Sequence, residues 1–229
     1  MNVSIAPPIT AQVPDFKIAV LSYEDITIGP SPQMLRGRLD FFQENIKADL
    51  LDHEITAYEG VREWREVFQT LGISPSKYRP SHEALFRRVA KHEAIPNLHS
   101  AVDINNFFSL QYEFPSGIYD TDQLQGAITL RFGREDETFT GINGRSNRAA
   151  GKIVTADDLG PFGSPIVDSE RTKTTENTTR ALQIFYLQPS LSVNQAAKLA
   201  DAAAGMFTQL HGGNASVQII PAETKEHDA

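Results

Sequence analysis

Gly72-Ile-Ser-Pro-Ser-Lys-Tyr-Arg-Pro-Ser81 divides this 229-residue chain into two parts with different patterns. Before it, apolar residues recur every three or four positions, which is typical of one face of a helix. The two runs are Leu35, Leu39, Phe42, Ile46 and Leu50, then Val61, Trp64, Phe68 and Leu71. We expect Ser31 to cap the first of these helices, Gly72 to end the second, and Ser81 to cap a third.

Short apolar runs separated by Gly, Pro, Asn and Asp follow from Pro96 onward and predict strands. These strands cover 101–108, 126–132, 137–142, 152–155, 165–168, 181–187 and 217–220, and one further strand is predicted before the helices, at 16–22. Ser192 and Gln195 match a capping box that opens a long Ala-rich helix, and Gly212 ends it. Helices on either side of a strand-rich middle indicate one α+β domain over 1–229, with a disordered polar tail at 222–229.

Composition narrows the functional classes. The chain has no cysteine, which excludes disulfides and thiolate chemistry, and no apolar run is long enough to span a membrane. We therefore expect a cytoplasmic protein. A formal net charge of −8 argues against broad nucleic-acid binding, and DNA is not an expected partner. A local basic cluster is either a solvated face or an RNA contact: Arg131, Arg134, Arg145, Arg148 and Lys152.

The common catalytic signatures are absent from the sequence. There is no Gly-x-Ser-x-Gly elbow, His-Glu-x-x-His pair or phosphate-binding Walker loop, and the six histidines are scattered. Hydrolysis by this chain would use a positioned water with hydroxyl and backbone donors, without a metal or cofactor.

Three polar segments are the candidate sites, each with a structural alternative. The 75–81 loop offers Lys77, Tyr78 and Arg79 either as phosphate or ribose contacts or as parts of a rigid linker between helices. Segment 102–106, interpreted as a strand with Asp103 and Asn105 on one face, either closes the sheet or contributes to a site. Segment 168–172 is either a site or an internal ion pair that fixes a turn, and it contains Asp168, Ser169, Glu170, Arg171 and Thr172.

These segments occur in the same order as landmarks of a known domain. Together with Pro115-Ser-Gly-Ile-Tyr-Asp120 and the Leu130-Arg131 strand, they resemble the B3/B4 editing domain of the phenylalanyl-tRNA synthetase beta subunit, in its free-standing form. The resemblance covers about 64–189. It implies an α+β fold with a mixed or antiparallel strand-rich core covered by helices, and hydrolysis of wrongly charged aminoacyl-tRNA; aminoacylation is not expected.

Such a hydrolysis would give roles to residues of this chain. Asp168 or Glu170 would bind the α-amino group, and Ser169 and Thr172 would orient water or the carbonyl group. Arg171 would hold the carboxylates or touch the terminal phosphate. The remaining substrate-binding candidates are Lys77, Tyr78, Arg79, Asn105 and Asn106.

One position departs from the family pattern, because Ile118 stands where the synthetase domain has a histidine. A histidine-dependent contact therefore does not carry over to this chain. The expected activity is trans-editing of mischarged aminoacyl-tRNA at its 3′ end, with a synthetase as a further candidate partner. The alternatives are a non-catalytic module that binds an amino acid, aminoacyl-tRNA or a synthetase, and a hydrolase of small amino-acid esters or amides.

Overall fold

The computed structural model describes residues 2–220 and has an α+β architecture, as predicted. Six α-helices are present in this part of the chain: α1 (Pro7–Thr10), α2 (Gln33–Asp49), α3 (Glu59–Thr70), α4 (Ser81–Ala90), α5 (Ser100–Gln111) and α6 (Val193–His211). The strands are β1 (Val3–Ile5), β2 (Ile18–Glu24), β3 (Ser116–Asp120), β4 (Ile128–Phe132), β5 (Thr138–Thr140), β6 (Ser146–Arg148), β7 (Ile153–Asp157), β8 (Gly160–Gly163), β9 (Ala181–Tyr186) and β10 (Asn214–Ile220).

The strands form two four-stranded sheets and one short hairpin. The first sheet has the order β10-β2-β9-β3 and is antiparallel throughout. The second has the order β1-β4-β7-β8, and its β1–β4 pair is parallel whereas the others are antiparallel. Strands β5 and β6 form the hairpin. The predicted mixed or antiparallel core is confirmed.

The predicted amphipathic helices pack their apolar faces into the core. Leu35, Leu39 and Ile46 of α2 are buried, and Trp64 of α3 is completely buried. The Trp64 ring makes edge contacts with Phe16 and Tyr186 at centroid distances of 6.0 and 6.4 Å. It therefore joins α3 to the antiparallel sheet.

Two predicted helix boundaries are confirmed. Gly72 follows α3 with φ of 72°, a conformation that glycine adopts without steric cost. Ser192 accepts a hydrogen bond from the Gln195 backbone N–H, and the Gln195 side chain completes the capping box of α6.

The predicted strand at 101–108 is wrong, because this segment lies within α5. Asp103 and Asn105, which an alternating strand would place on one face, are buried in this helix. Asp103 accepts hydrogen bonds from the Ser31 hydroxyl and the Leu98 backbone N–H. Since these partners satisfy both carboxylate oxygens, Asp103 is accommodated in a buried helix.

Three smaller predictions are also wrong. Ser31 donates to Asp103 and does not cap α2, whose N-cap is Pro32. Ser81 is the first residue of α4, and Pro80 is the N-cap. Residues 165–168 form a bend and not a strand, because the Ser164 side chain bonds to backbone groups within it. The predicted tail at 222–229 lies outside the described residues.

Within residues 2–220, no helix combines the length and apolarity needed to cross a membrane.

Candidate functional site

A cavity of about 230 Å³ lies between α5, β3, the start of α4 and the segment 164–174. This volume is below the roughly 300–1,000 Å³ of pockets for drug-sized ligands, and it suits a small molecule. Its apolar walls come from Leu85, Val102, Ile118, Ile142, Ile166 and Val167. Its polar side chains are Ser81, Asn105, Asn106, Ser109, Ser116, Ser164, Asp168, Lys173 and Thr174.

Helix α5 presents two amides to this cavity. Asn105 and Asn106 lie on the helix face that also carries Val102 and Ser109, because residues three and four apart share a face. The Asn105 side-chain oxygen accepts a 2.8 Å hydrogen bond from the Gln183 amide. This bond orients the Asn105 side chain and leaves its NH₂ group as the donor for a cavity ligand.

Asp168 is the carboxylate of the cavity. Its Oδ1 accepts a 2.7 Å hydrogen bond from the Tyr119 hydroxyl. Burial raises the pKa of Asp168 to about 7, although the Tyr119 hydrogen bond acts in the opposite direction. The carboxyl group therefore changes charge close to neutral pH.

Tyr119 reaches Asp168 through a space that two glycines leave open. A Cβ atom on Gly117 would lie 2.1 Å from the Tyr119 hydroxyl oxygen, and one on Gly163 would lie 2.2 Å from it. The hydroxyl also lies 3.4 Å from that of Tyr186, which is 2.7 Å from the Thr155 hydroxyl. Burial raises the pKa of Tyr119 well above its usual value, so Tyr119 stays protonated and acts as a donor to Asp168.

Two further hydroxyls of the cavity have no partner. Ser81 Oγ and Thr174 Oγ1 are buried and make no hydrogen bond to any other described residue. Thr174 as a whole is only 5% exposed. Buried polar atoms are normally satisfied by protein, water or ligand, so these two hydroxyls are available to hydrogen-bond a polar group.

The bend after β8 fixes the position of Asp168. Ser164 Oγ donates to the Val167 carbonyl at 2.9 Å and accepts from the backbone N–H groups of Ile166 and Val167. The Ser81 backbone N–H donates to the Pro165 carbonyl at 2.7 Å. The bend is therefore joined to the start of α4, which also lines the cavity.

Three predicted site residues meet in the cavity: Asn105, Asn106 and Asp168. The other members of segment 168–172 do not line it. Ser169 Oγ accepts from the Arg171 backbone N–H, and Thr172 donates to the Phe162 carbonyl. Glu170 is exposed and pairs with Lys173. Arg171 forms a bidentate pair with Asp157, which lies outside the segment, and not with Asp168.

The predicted loop residues lie beside the cavity. Tyr78 lines a neighbouring groove that shares Ser164, Ile166 and Val167 with the cavity wall. The Lys77 ammonium lies 5.2 Å from the Tyr78 ring centroid, and Arg79 is exposed.

Sequence reasoning did not assign Tyr119, Ser81 or Thr174 to the site. Tyr119 stands in the Pro115–Asp120 landmark, but no spacing in the chain links it to Asp168. Ser81 carried a signal that was interpreted as a helix cap, and Thr174 carried none.

Within residues 2–220, no cluster of three or more His, Asp or Glu side chains has a geometry that could hold a metal ion.

A family model described as the B3/4 domain matches residues 63–206, more than half of the chain. The chain belongs to the B3/4 domain family. Its cavity lies within the matched region.

Two kinds of relative are similar to this B3/4 protein. An uncharacterized protein of Bacillus subtilis (strain 168), YhzB, is 29% identical over 217 residues, which are 95% of this chain and 98% of YhzB. The phenylalanine–tRNA ligase beta subunit of Paramagnetospirillum magneticum is 35% identical over 91 residues, which are 38% of this chain and only 11% of the subunit. The chain is thus related to a domain of a tRNA synthetase and matches a small part of that subunit.

A solved N-terminal fragment of the phenylalanyl-tRNA synthetase beta subunit from Pyrococcus horikoshii is 12% identical, with a TM-score of 0.44. The match covers 93% of this chain and 50% of the fragment.

Proposed function

We propose that this protein hydrolyses the ester bond of mischarged aminoacyl-tRNA. The observation that carries the proposal is the pairing, in one amino-acid-sized cavity, of the Asp168 carboxylate with the amides of Asn105 and Asn106. A carboxylate matches an α-ammonium group, amide donors match an ester carbonyl, and the apolar walls match a side chain. The relationship to a synthetase beta subunit supports an aminoacyl-tRNA as the source of that ester.

Each polar group of the cavity has a role in this reaction. Ionised Asp168 holds the α-ammonium group and so fixes the amino acid. The Asn105 and Asn106 amides donate to the carbonyl oxygen, where negative charge develops during attack. The unpartnered hydroxyls of Ser81 and Thr174 position the attacking water. Its oxygen bonds to the carbonyl carbon, the bond to the ribose oxygen breaks, and a proton passes to that oxygen.

The test is a deacylation assay of the full chain against correctly and incorrectly charged tRNAs. We expect turnover of a mischarged species and an about 100-fold lower kcat/KM for Asp168→Asn, because the partner of a buried charge is lost. An N-acetylated substrate, which has no ammonium group, should react as poorly as the variant does. Asp136→Asn is the matched control, since Asp136 is exposed and does not line the cavity. Wild-type activity in Asp168→Asn would reject this site.

A second candidate function is a binding module without catalysis, and Ile118 favours it. This residue lines the cavity at the position where the synthetase domain has a histidine, and no histidine is among the described residues that line the cavity. Calorimetry with free amino acids and a non-hydrolysable 3′-aminoacyl-adenosine analogue separates the two functions. Binding that Asp168→Asn weakens, with no turnover of any charged tRNA, would establish the module.

A further inference from the structure

The groove beside the cavity, here called the Tyr78 groove, brings together three segments of the chain. It is lined by Tyr78, Phe139, Asn147, Arg148, Ala149, Lys152, Val154, Ser164, Ile166 and Val167. The last three also line the cavity, so they form a common wall between the two spaces. Aromatic and aliphatic groups thus meet basic groups at the edge of the proposed active site.

Positive charge collects around the Tyr78 ring. The Lys152 ammonium lies 4.4 Å from the ring centroid and the Lys77 ammonium lies 5.2 Å from it. Arg148 is exposed on the same groove. No carboxylate among residues 2–220 forms an ion pair with any of these three side chains.

This unpaired charge is local. Nearby Arg131 is paired with Glu137, and the chain as a whole has a net charge of −8. A concentration of uncompensated cations around an aromatic ring matches a ligand with a phosphate and a flat ring system. The charge complementarity therefore favours a nucleotide over an acidic protein surface, which provides no base to stack.

We infer that the Tyr78 groove binds the terminal nucleotide of a single-stranded RNA end. The base lies against Tyr78 and Phe139, and Arg148 and Lys152 contact the phosphate. This inference rests on the proposed function, because the common wall places the ribose between the groove and the cavity that holds the aminoacyl group.

Lys152 controls access to the ring. Its ammonium covers the Tyr78 face, and the groove has a volume of only about 40 Å³. The cation–π contact is weak where water has access, and a phosphate is a stronger partner for an ammonium. Phosphate binding withdraws Lys152 from the ring and opens the space in which the base stacks.

The direct test measures binding of the trinucleotide 5′-CCA and of adenosine to the full chain by calorimetry or NMR titration. We expect saturable binding of the trinucleotide, and weaker binding of adenosine, which has no phosphate. The double variant R148A/K152A should lose about 10-fold or more in affinity, with a salt slope smaller by about 0.7 for each lost contact. Tyr78→Ala should lose about 5- to 100-fold, because stacking is removed.

The control is Lys198→Ala, which removes an exposed lysine of α6 and should leave trinucleotide affinity unchanged. Thermal unfolding of each variant separates loss of binding from loss of folding. Unchanged trinucleotide affinity in folded R148A/K152A would overturn the inference. So would tighter binding of a hexaglutamate peptide than of the trinucleotide.

Two assays distinguish failure of this inference from failure of the proposed function. The trinucleotide has no aminoacyl ester, so its binding does not depend on hydrolysis. If the protein hydrolyses mischarged tRNA, R148A/K152A should raise the KM for it and leave hydrolysis of the corresponding amino-acid methyl ester unchanged. Deacylation with a KM that the double variant does not change would reject nucleotide binding in the groove and retain the proposed hydrolysis. Trinucleotide binding without deacylation of any charged tRNA would retain nucleotide binding in the groove and reject the hydrolysis.

Discussion

The hydrogen bond between Tyr119 and Asp168 links the core of the protein to the chemistry of its cavity. The hydroxyl donates to Asp168 Oδ1 at 2.7 Å and thereby favours the ionised carboxylate. Burial acts against ionisation, and the balance places the pKa of Asp168 at about 7. The charge of the cavity at a given pH therefore depends on Tyr119, which is not among the residues that line the cavity.

Tyr119→Phe should shift the pH dependence of activity upward. Loss of the hydroxyl removes an interaction that favours the charged form, so the pKa of Asp168 rises above about 7. The acid limb of the kcat/KM profile, which reports free-enzyme groups, should move to higher pH, with activity approaching wild type at high pH.

Tyr112→Phe is the matched control, because Tyr112 is only partly buried and does not line the cavity. Its profile should coincide with that of the wild type. A uniform loss of activity in Tyr119→Phe at every pH would show that Tyr119 supports the structure and does not set the charge of Asp168.

The sequence was sufficient to identify Asp168 as a candidate site residue. It was not sufficient to predict which side chains surround Asp168. A carboxylate beside Ser, Glu, Arg and Thr is a recognisable polar segment. Its orientation by Tyr119 requires β3 to lie beside β8 and the bend that follows β8. About 40 residues separate β3 from β8, and no sequence pattern indicates that the two strands meet. Sequence reasoning therefore treated residues 168–172 as one site, whereas the structure turns only Asp168 of these five toward the cavity.

At the scale of elements, β8 approaches β3 closely enough to need glycine. A Cβ at Gly163 would lie 2.2 Å from the Tyr119 hydroxyl oxygen, far inside van der Waals contact. We expect Gly163→Ala to lower the free energy of unfolding by about 1–3 kcal/mol, which is typical of overpacking. Because the displaced group is the Tyr119 hydroxyl, the same substitution should also shift the pH profile as Tyr119→Phe does.

Gly37→Ala is the control for this prediction. Gly37 lies on the exposed side of α2, and no atom lies within 4 Å of the position of an added Cβ. Alanine is a better helix former than glycine by up to about 1 kcal/mol, so this variant should be more stable and its pH profile unchanged. Urea unfolding measures the stability of both variants, and the deacylation assay measures their pH profiles. Equal stability of Gly163→Ala and wild type would show that β8 relaxes away from Tyr119.

The elements differed in how well their sequences predicted them. Helix α6 has a complete local signal, since its capping box and its terminal glycine lie within the segment itself. Helix α5 does not, because Asp103 and Asn105 are made acceptable in a buried helix by Ser31 and Gln183, which are 72 and 78 residues away. Without these partners in view, the alternation of Val102, Asp103 and Ile104 resembled a half-buried strand.

Over the whole molecule, buried histidine and buried carboxyl groups have opposite effects on the pH dependence of stability. Burial lowers the pKa of His82 to about 3, so its contribution is complete above pH 6.5 and is lost as the pH falls from there toward 3. Burial raises the pKa of Asp168 from 3.8 to about 7, so its contribution is complete below 3.8 and is lost as the pH rises through 7. The two effects compete between about pH 4 and 6.5.

His82→Leu should separate them. Both ring nitrogens of His82 are buried and make no hydrogen bond of good geometry, so leucine removes only the contact of the ring with the Gly60 backbone. In the wild type, protonation of His82 in the unfolded state costs about 2 kcal/mol of stability between pH 8 and pH 5. Urea titrations at pH 8 and pH 5 give the free energy of unfolding at each pH. The decrease from pH 8 to pH 5 should be smaller in His82→Leu than in the wild type by this amount. His53→Leu, at an exposed site, should retain the wild-type difference, and a retained difference in His82→Leu would assign the acid sensitivity to other groups.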